Sequence, residues 1–148
     1  MATVPDLLQV KDLRKTFAAK RSLFSRNPRA VHAVDGVSFS LGAGETLGLV
    51  GESGSGMSTL GRLILRLIDP TAGSIQLDGR ELTTLAPAQV RAMRSDIQMV
   101  FQDPYGSLDP RKTIATTLAE PLKVHGTWTP ESPARIQETM LRVGLNPD

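Results

Sequence analysis

The sequence contains no cysteine among its 148 residues, which excludes disulfides and thiolate metal sites and leaves nothing to argue for an oxidising compartment. No apolar run approaches the length of a membrane span. Met1-Ala2-Thr3-Val4-Pro5-Asp6 lacks the basic and apolar regions of a signal peptide. These absences predict a soluble cytoplasmic chain that meets a membrane only through a partner. The formal net charge is +2, too small to argue for nucleic acid. Basic residues do gather early, at Lys11, Arg14, Lys15, Lys20, Arg21, Arg26 and Arg29, and such a run reads more readily as a solvated loop than as a lipid or nucleic-acid surface. There is no internal repeat and no low-complexity tract. The length allows one domain with a real core. One further gap matters most: no lysine occurs between Lys20 and Lys112.

That gap falls across the most informative stretch. Thr46–Val50 is a nearly continuous apolar run, the signature of a strand buried on both faces. It leads into Gly51-Glu52-Ser53-Gly54-Ser55-Gly56-Met57-Ser58-Thr59, and Leu60, Leu63, Ile64 and Leu67 then mark one face of a helix. The pattern G-x-x-x-x-G-K-[ST] is met from Gly51 to Ser58 except that Met57 stands in the lysine position. In such a loop, glycines let backbone amides turn inward around a phosphate, and the first helical turn adds unpaired N–H groups and a positive dipole end. Ser58 would reach Mg²⁺ and Thr59 a phosphate oxygen. The competing reading is a Gly/Ser-rich turn between a strand and a helix. Arg62 and Arg66 lie a turn or more beyond the loop and read as surface charges rather than substitutes for the lysine.

Along the rest of the chain, Leu7–Phe17 and Val31–Leu41 read as strands of an antiparallel unit, joined by a basic segment with an Asn27-Pro28 turn. Asp35-Gly36 marks a turn or bulge within the second strand. The helix after the loop is expected to stop at Asp69-Pro70. Ser74–Leu77 and Arg80–Leu82 flank Asp78-Gly79, a hairpin signal. Pro87 opens a helix to about Arg94. Ile97–Phe101 reads as a second apolar strand, followed by Gln102-Asp103-Pro104. Helices are expected over about Thr113–Val124, with a break at Pro121, and over Glu131–Val143, ending at Gly144. Alternating strands and helices around a phosphate loop predict an α/β sheet. The acid that holds Mg²⁺ in such enzymes ends an apolar strand. Asp103 arrives one residue late, on a Pro-rich turn, and is a poor candidate.

Gly51–Thr59 together with Val100-Phe101-Gln102-Asp103-Pro104-Tyr105-Gly106-Ser107-Leu108-Asp109-Pro110-Arg111 resembles the nucleotide-binding subunit of ABC transporters, most closely the oligopeptide and dipeptide importer branch. Ala33–Phe39 and Gly44–Val50 fit the same branch. The resemblance runs along essentially the whole chain and matches the front half of the family's domain. It implies an ABC-type P-loop ATPase core with an incomplete sheet: an antiparallel β region over 1–45, the α/β core over 46–103, and the glutamine loop with the start of a helical subdomain over 104–148.

The same resemblance implies ATP and Mg²⁺ as ligands. Phe17 matches the aromatic that stacks on adenine, although a core strand residue is an equal reading. Gly51, Glu52, Ser53, Gly54, Ser55, Gly56, Met57, Ser58 and Thr59 match the phosphate loop. Gln102 matches the glutamine that approaches Mg²⁺ and the attacking water, and Gln102–Arg111 matches the loop that faces integral membrane subunits. The implied partners are those subunits and a second ATPase subunit, at the cytoplasmic face of the inner membrane. Absent from the 148 residues are a Leu-Ser-Gly-Gly-Gln segment, an apolar strand ending in Asp-Glu, and a switch histidine; His32 and His125 do not match that position. With Met57 as well, nucleotide affinity is expected to fall by about 10- to 100-fold and hydrolysis to be lost. Two other readings remain, a nonhydrolytic module that pairs with a complete ATPase subunit and a remnant without independent function.

Overall fold

Alternation of apolar and polar residues sets the first strand, and a deliberate break in that alternation keeps it in the core. Strand β1, Asp6–Phe17, turns Leu8 and Val10 inward. Asp12 then adopts a left-handed backbone (φ 46°), which shifts the phase so that Leu13 is again buried. The facing residue of the neighbouring strand must be Gly73: a Cβ there would lie 2.5 Å from the Asp12 carbonyl oxygen. In this computed structural model, which describes residues 6–18, 30–101 and 105–147, the chain forms two units, one running to Gln98 and one from Met99 onward.

In the first unit β1 pairs with β2, Val31–Gly42, and on its other side with β3, Ala72–Leu77, which continues into β4, Arg80–Glu81. All pairings are antiparallel, in the order β2-β1-β3-β4. Asp35-Gly36 is a bulge rather than a turn, since the register slips between Leu13↔Val37 and Lys15↔Val34 while β2 runs on. Asp78 and Gly79 take φ values of 48° and 71°, the paired left-handed conformations of a two-residue hairpin turn. The expected basic connection, with Asn27-Pro28, lies outside the described residues.

Helix α1, Met57–Ile64, buries Leu60 and Leu63 against Leu8, Val10, Leu13, Val34, Ile75, Leu82 and Met93. It does not continue to Asp69-Pro70 as expected. Arg66 turns left-handed (φ 52°), its amide bonds to the Leu63 carbonyl, and the Leu67 amide reaches back to Arg62, closing the helix as a Schellman turn. A non-glycine residue in that conformation costs roughly 1–2 kcal/mol. The offset comes from its side chain. Far from being a surface charge, the Arg66 side chain is only 10% exposed, donates from Nε to the Leu82 carbonyl at 3.0 Å and pairs with Asp69. Arg94 seals the same end, donating to the carbonyls of Leu65 (2.6 Å) and Arg66 (3.1 Å). It follows α2, Pro87–Ala92, and sits in a short 3₁₀ turn, Met93–Ser95.

Two expected strands are not strands. Thr46–Val50 and Ile97–Phe101 carry no ladder hydrogen bonds among the described residues, and Val50 and Val100 are 99% and 96% exposed. A run apolar on both faces becomes a strand only when strands flank it and layers cover it. Among the described residues no strand of the antiparallel sheet pairs with either run.

The second unit is a helical hairpin. In α3, Ile114–Val124, Thr113 caps the start by accepting from the Thr116 amide at 3.2 Å, and Pro121 is carried without a break. In α4, Ser132–Arg142, the buried residues Ser132, Ile136 and Met140 repeat every four positions, and Ile136 and Met140 pack with Ala119 into the unit's core. Both helices end in Schellman turns, at Gly126 and Gly144.

Two stability tests follow from the first unit. Arg94→Ala leaves partly buried carbonyls without a charged donor, so its urea midpoint should fall by an amount equivalent to about 1–3 kcal/mol at unchanged slope, with Arg94→Lys recovering only part. Burial pushes the Glu81 carboxyl up, but hydrogen bonds from the Thr83 hydroxyl and amide and from the Ile75 amide outweigh it, leaving its pKa below the ordinary 4.5. Its contribution is therefore complete above pH 4.5 and fades as pH falls through the lower folded value. Acid titration of stability should be flatter in Glu81→Gln than in the unaltered chain.

Candidate functional site

Gly51–Gly56 form a tight loop at the start of α1. The Ser55 amide donates to the Glu52 carbonyl at 3.0 Å, Gly54 and Gly56 take φ values of 88° and 93°, and the Leu60 amide makes the first helical bond, to Gly56, at 2.8 Å. The amides of Gly56, Met57, Ser58 and Thr59 are thereby left unclaimed by the helix. No acidic residue occupies the first turn. The loop rests directly on β2: a Cβ at Gly56 would lie 2.1 Å from the Ala33 carbonyl oxygen, so no other residue fits there. Across the loop, a Cβ at Gly51 would meet Ser55 Oγ at 2.6 Å and Met57 Sδ at 3.7 Å. Gly51, Ser55 and Met57 thus converge, with a thioether in the place of an ammonium group.

Ser58 is exposed and Thr59 half-buried at the head of α1. Among the described residues no cluster of three or more His, Cys, Asp or Glu could hold a metal on its own. One hydroxyl beside open amides suits Mg²⁺ that arrives on a phosphate chain, since that ion takes few protein ligands and keeps its waters. The open amides and the Ser58 hydroxyl are of a chemistry that fits a phosphate chain and its ion.

Phe17 is 42% exposed, so it is not a core residue. Its backbone pairs with Val31, two residues before Ala33, on the strand adjacent to the one that seats the loop. Lys15 stands over that ring, Nζ 5.1 Å from the centroid, and donates to the Asp69 carbonyl at 2.6 Å. Sequence reasoning placed Lys15 in a solvated basic loop, whereas it lies in β1, two residues from Phe17 and on the same face. That reasoning missed Ala33, for which no sequence signal exists.

Gln102 and Asp103 lie outside the described residues, as does the Tyr105 side chain. In the following loop, Asp109 and Arg111 form a two-pronged pair, Nε–Oδ1 and Nη2–Oδ2 both at 3.0 Å, which holds the Asp109 carboxyl below its usual range and raises Arg111. Elsewhere, a cleft of about 730 Å³ opens at the far end of α1, beside Arg66, Asp69 and Arg94. It takes in none of Gly51–Thr59, and Arg66 and Arg94 already serve backbone carbonyls.

A glycine loop seated on a strand and opening a helix defines a P-loop nucleotide-binding cassette. The sequence profile of the ABC transporter family matches residues 34–148. The chain belongs to that family. It is 50% identical over 143 residues to the glutathione import ATP-binding protein GsiA of Escherichia coli O6:H1, and 49% identical to the protein of the same name from Escherichia coli K12, covering 96% of this chain in each case. It spans 23% of the length of those relatives. The fold matches the dimeric structure of MJ0796, described as a bacterial ABC transporter cassette, with a TM-score of 0.75 at 24% identity, over 95% of this chain and 58% of that one. A second structure of that cassette, described as a post-hydrolysis state with ADP and Pi, matches equally well.

Gly56→Ala should expel the loop from β2, lowering stability by about 2 kcal/mol or more and abolishing any nucleotide-dependent rise in melting temperature. Gly54→Ala, with open space around it, should cost only the left-handed strain of about 1 kcal/mol. Equal effects of the two would contradict the seating described.

Proposed function

We propose that this chain is the nucleotide-binding part of an ABC import ATPase for peptides or similar small solutes, glutathione among them, and that it binds Mg-ATP but does not hydrolyse it. The observation that carries this reading is the phosphate loop itself, its amides open at the head of α1 and Met57 in place of the lysine. The solute class rests on the glutathione import proteins to which the chain is 50% and 49% identical. Hydrolysis needs charge neutralisation at the transferring phosphoryl group, a positioned water and a metal-holding acid. Met57 removes the charge neutralisation that the lysine would supply.

In this reading the amides of Met57–Thr59 hold the outer phosphates, Ser58 ligates Mg²⁺ and Phe17 takes the base on its free face. Gln102 addresses the ion and water. The Gln102–Arg111 loop docks on integral membrane subunits at the cytoplasmic face, where the chain is peripheral; among the described residues no helix is long and apolar enough to cross a membrane. The exposure of Gly51–Ser55 leaves one side of a bound nucleotide open, which supports a second ATPase subunit as its cover. The exposed Leu47, Leu49 and Val50 favour a variant of this reading, a nonhydrolytic module that works only against a complete subunit.

Thermal unfolding with and without millimolar Mg-ATP tests the binding, because a ligand stabilises only the state it binds. A cooperative transition raised by Mg-ATP is expected, together with a steady-state ATPase rate at the blank. A melt insensitive to Mg-ATP, or turnover comparable to a complete cassette, would overturn the corresponding half of the proposal.

A further inference from the structure

We infer that Met57 makes nucleotide binding at this loop depend on magnesium, so that the chain selects the chelated nucleotide over the free one far more strongly than a lysine-bearing loop would; this rests on the nucleotide-binding reading above. Met57 is the first residue of α1, and its sulfur lies 3.7 Å from the Cβ position of Gly51, across the loop. A thioether accepts weakly, donates nothing and carries no charge. The described cations around α1 are committed elsewhere. Arg14 pairs with Asp12 and Asp35, Lys15 donates to the Asp69 carbonyl, Arg66 serves Leu82 and Asp69, and Arg94 serves Leu65 and Arg66. Arg62 lies in the last turn of α1, at the other end from the loop.

Among the described residues, what remains for the phosphates is neutral: the amides at the helix head and the hydroxyls of Ser58 and Thr59. These satisfy oxygens but compensate only part of a triphosphate's charge. A lysine and a divalent ion at one phosphate chain neutralise the same negative charge and repel each other, so each weakens the benefit of the other. Removing the lysine therefore enlarges what the ion contributes. Even at the dielectric of water, a single and a double positive charge about 5 Å apart repel enough to alter an equilibrium by more than about tenfold. A loop of this kind leaves free nucleotide largely unbound and responds to the magnesium-loaded fraction.

Equilibrium dialysis of radiolabelled ATP against the 148-residue chain, in excess Mg²⁺ and in EDTA, measures this directly, with Met57→Lys and Met57→Arg alongside and circular dichroism to confirm folding of each. The expected result is a ratio of Kd in EDTA to Kd in Mg²⁺ that is about tenfold or more larger for Met57 than for either cationic variant. Equal ratios, or tight binding of the unaltered chain in EDTA, would overturn the inference while leaving nucleotide binding intact. Binding by the cationic variants but not by the unaltered chain in Mg²⁺ would also overturn it, since the ion then fails to compensate. Absence of binding by all three folded proteins in both buffers would instead remove the nucleotide reading on which it rests.

Discussion

The contact between Gly56 and the Ala33 carbonyl is the constraint on which the rest of the first unit depends. It brings the turn before α1 within van der Waals reach of a β2 backbone oxygen, closer than any side chain allows. Because β2 is paired to β1 along its length, that one approach fixes the loop relative to the sheet and, through the register Phe17↔Val31, relative to the exposed ring of Phe17. The helix dipole is thereby aimed by a strand rather than by side-chain contacts at the site. The site residues need little packing of their own, and Gly51–Ser55 remain exposed.

The other end of α1 is governed by charge. Two arginines close it, one from within its own terminal turn and one from the 3₁₀ turn after α2. Arg94 satisfies carbonyls that the helix end leaves open, Arg66 ties that end to the Leu82 carbonyl, and both place positive charge at the negative end of the dipole. The short helix is thus pinned at its head by a steric fit and at its tail by guanidinium groups. Its buried Leu60 and Leu63 then hold it against the sheet.

Much of this was legible in the residues, for identifiable reasons. Asp78-Gly79 announces its turn because only such residues take two left-handed conformations in succession. The phosphate loop is legible because its glycines are required by geometry, and α4 because its apolar spacing matches a helical face. The failures have one origin, which is that tertiary surroundings decide what a local pattern becomes. Thr46–Val50 and Ile97–Phe101 have strand composition, but no neighbour among the described residues pairs with them. Arg66 looked like a surface charge because nothing in its own segment reveals the Leu82 carbonyl sixteen residues away. Lys15 reads as part of a solvated basic run for the same reason: Asp69 is distant in sequence and adjacent in space. Of the site, the identity of the loop was readable, whereas its seat on Ala33 was not.

The two units also differ in how far apart in sequence their partners lie. Helices α3 and α4 meet across a short connection, and each carries its own glycine stop, so every contact in that hairpin is local. The central pairing of the sheet joins Leu8 to Leu77, about 70 residues apart, and it must enclose the loop and α1 before it closes. Local contacts form orders of magnitude faster than distant ones. On refolding of the whole chain the helical hairpin is therefore expected to assemble before the β1–β3 pairing that encloses the phosphate loop.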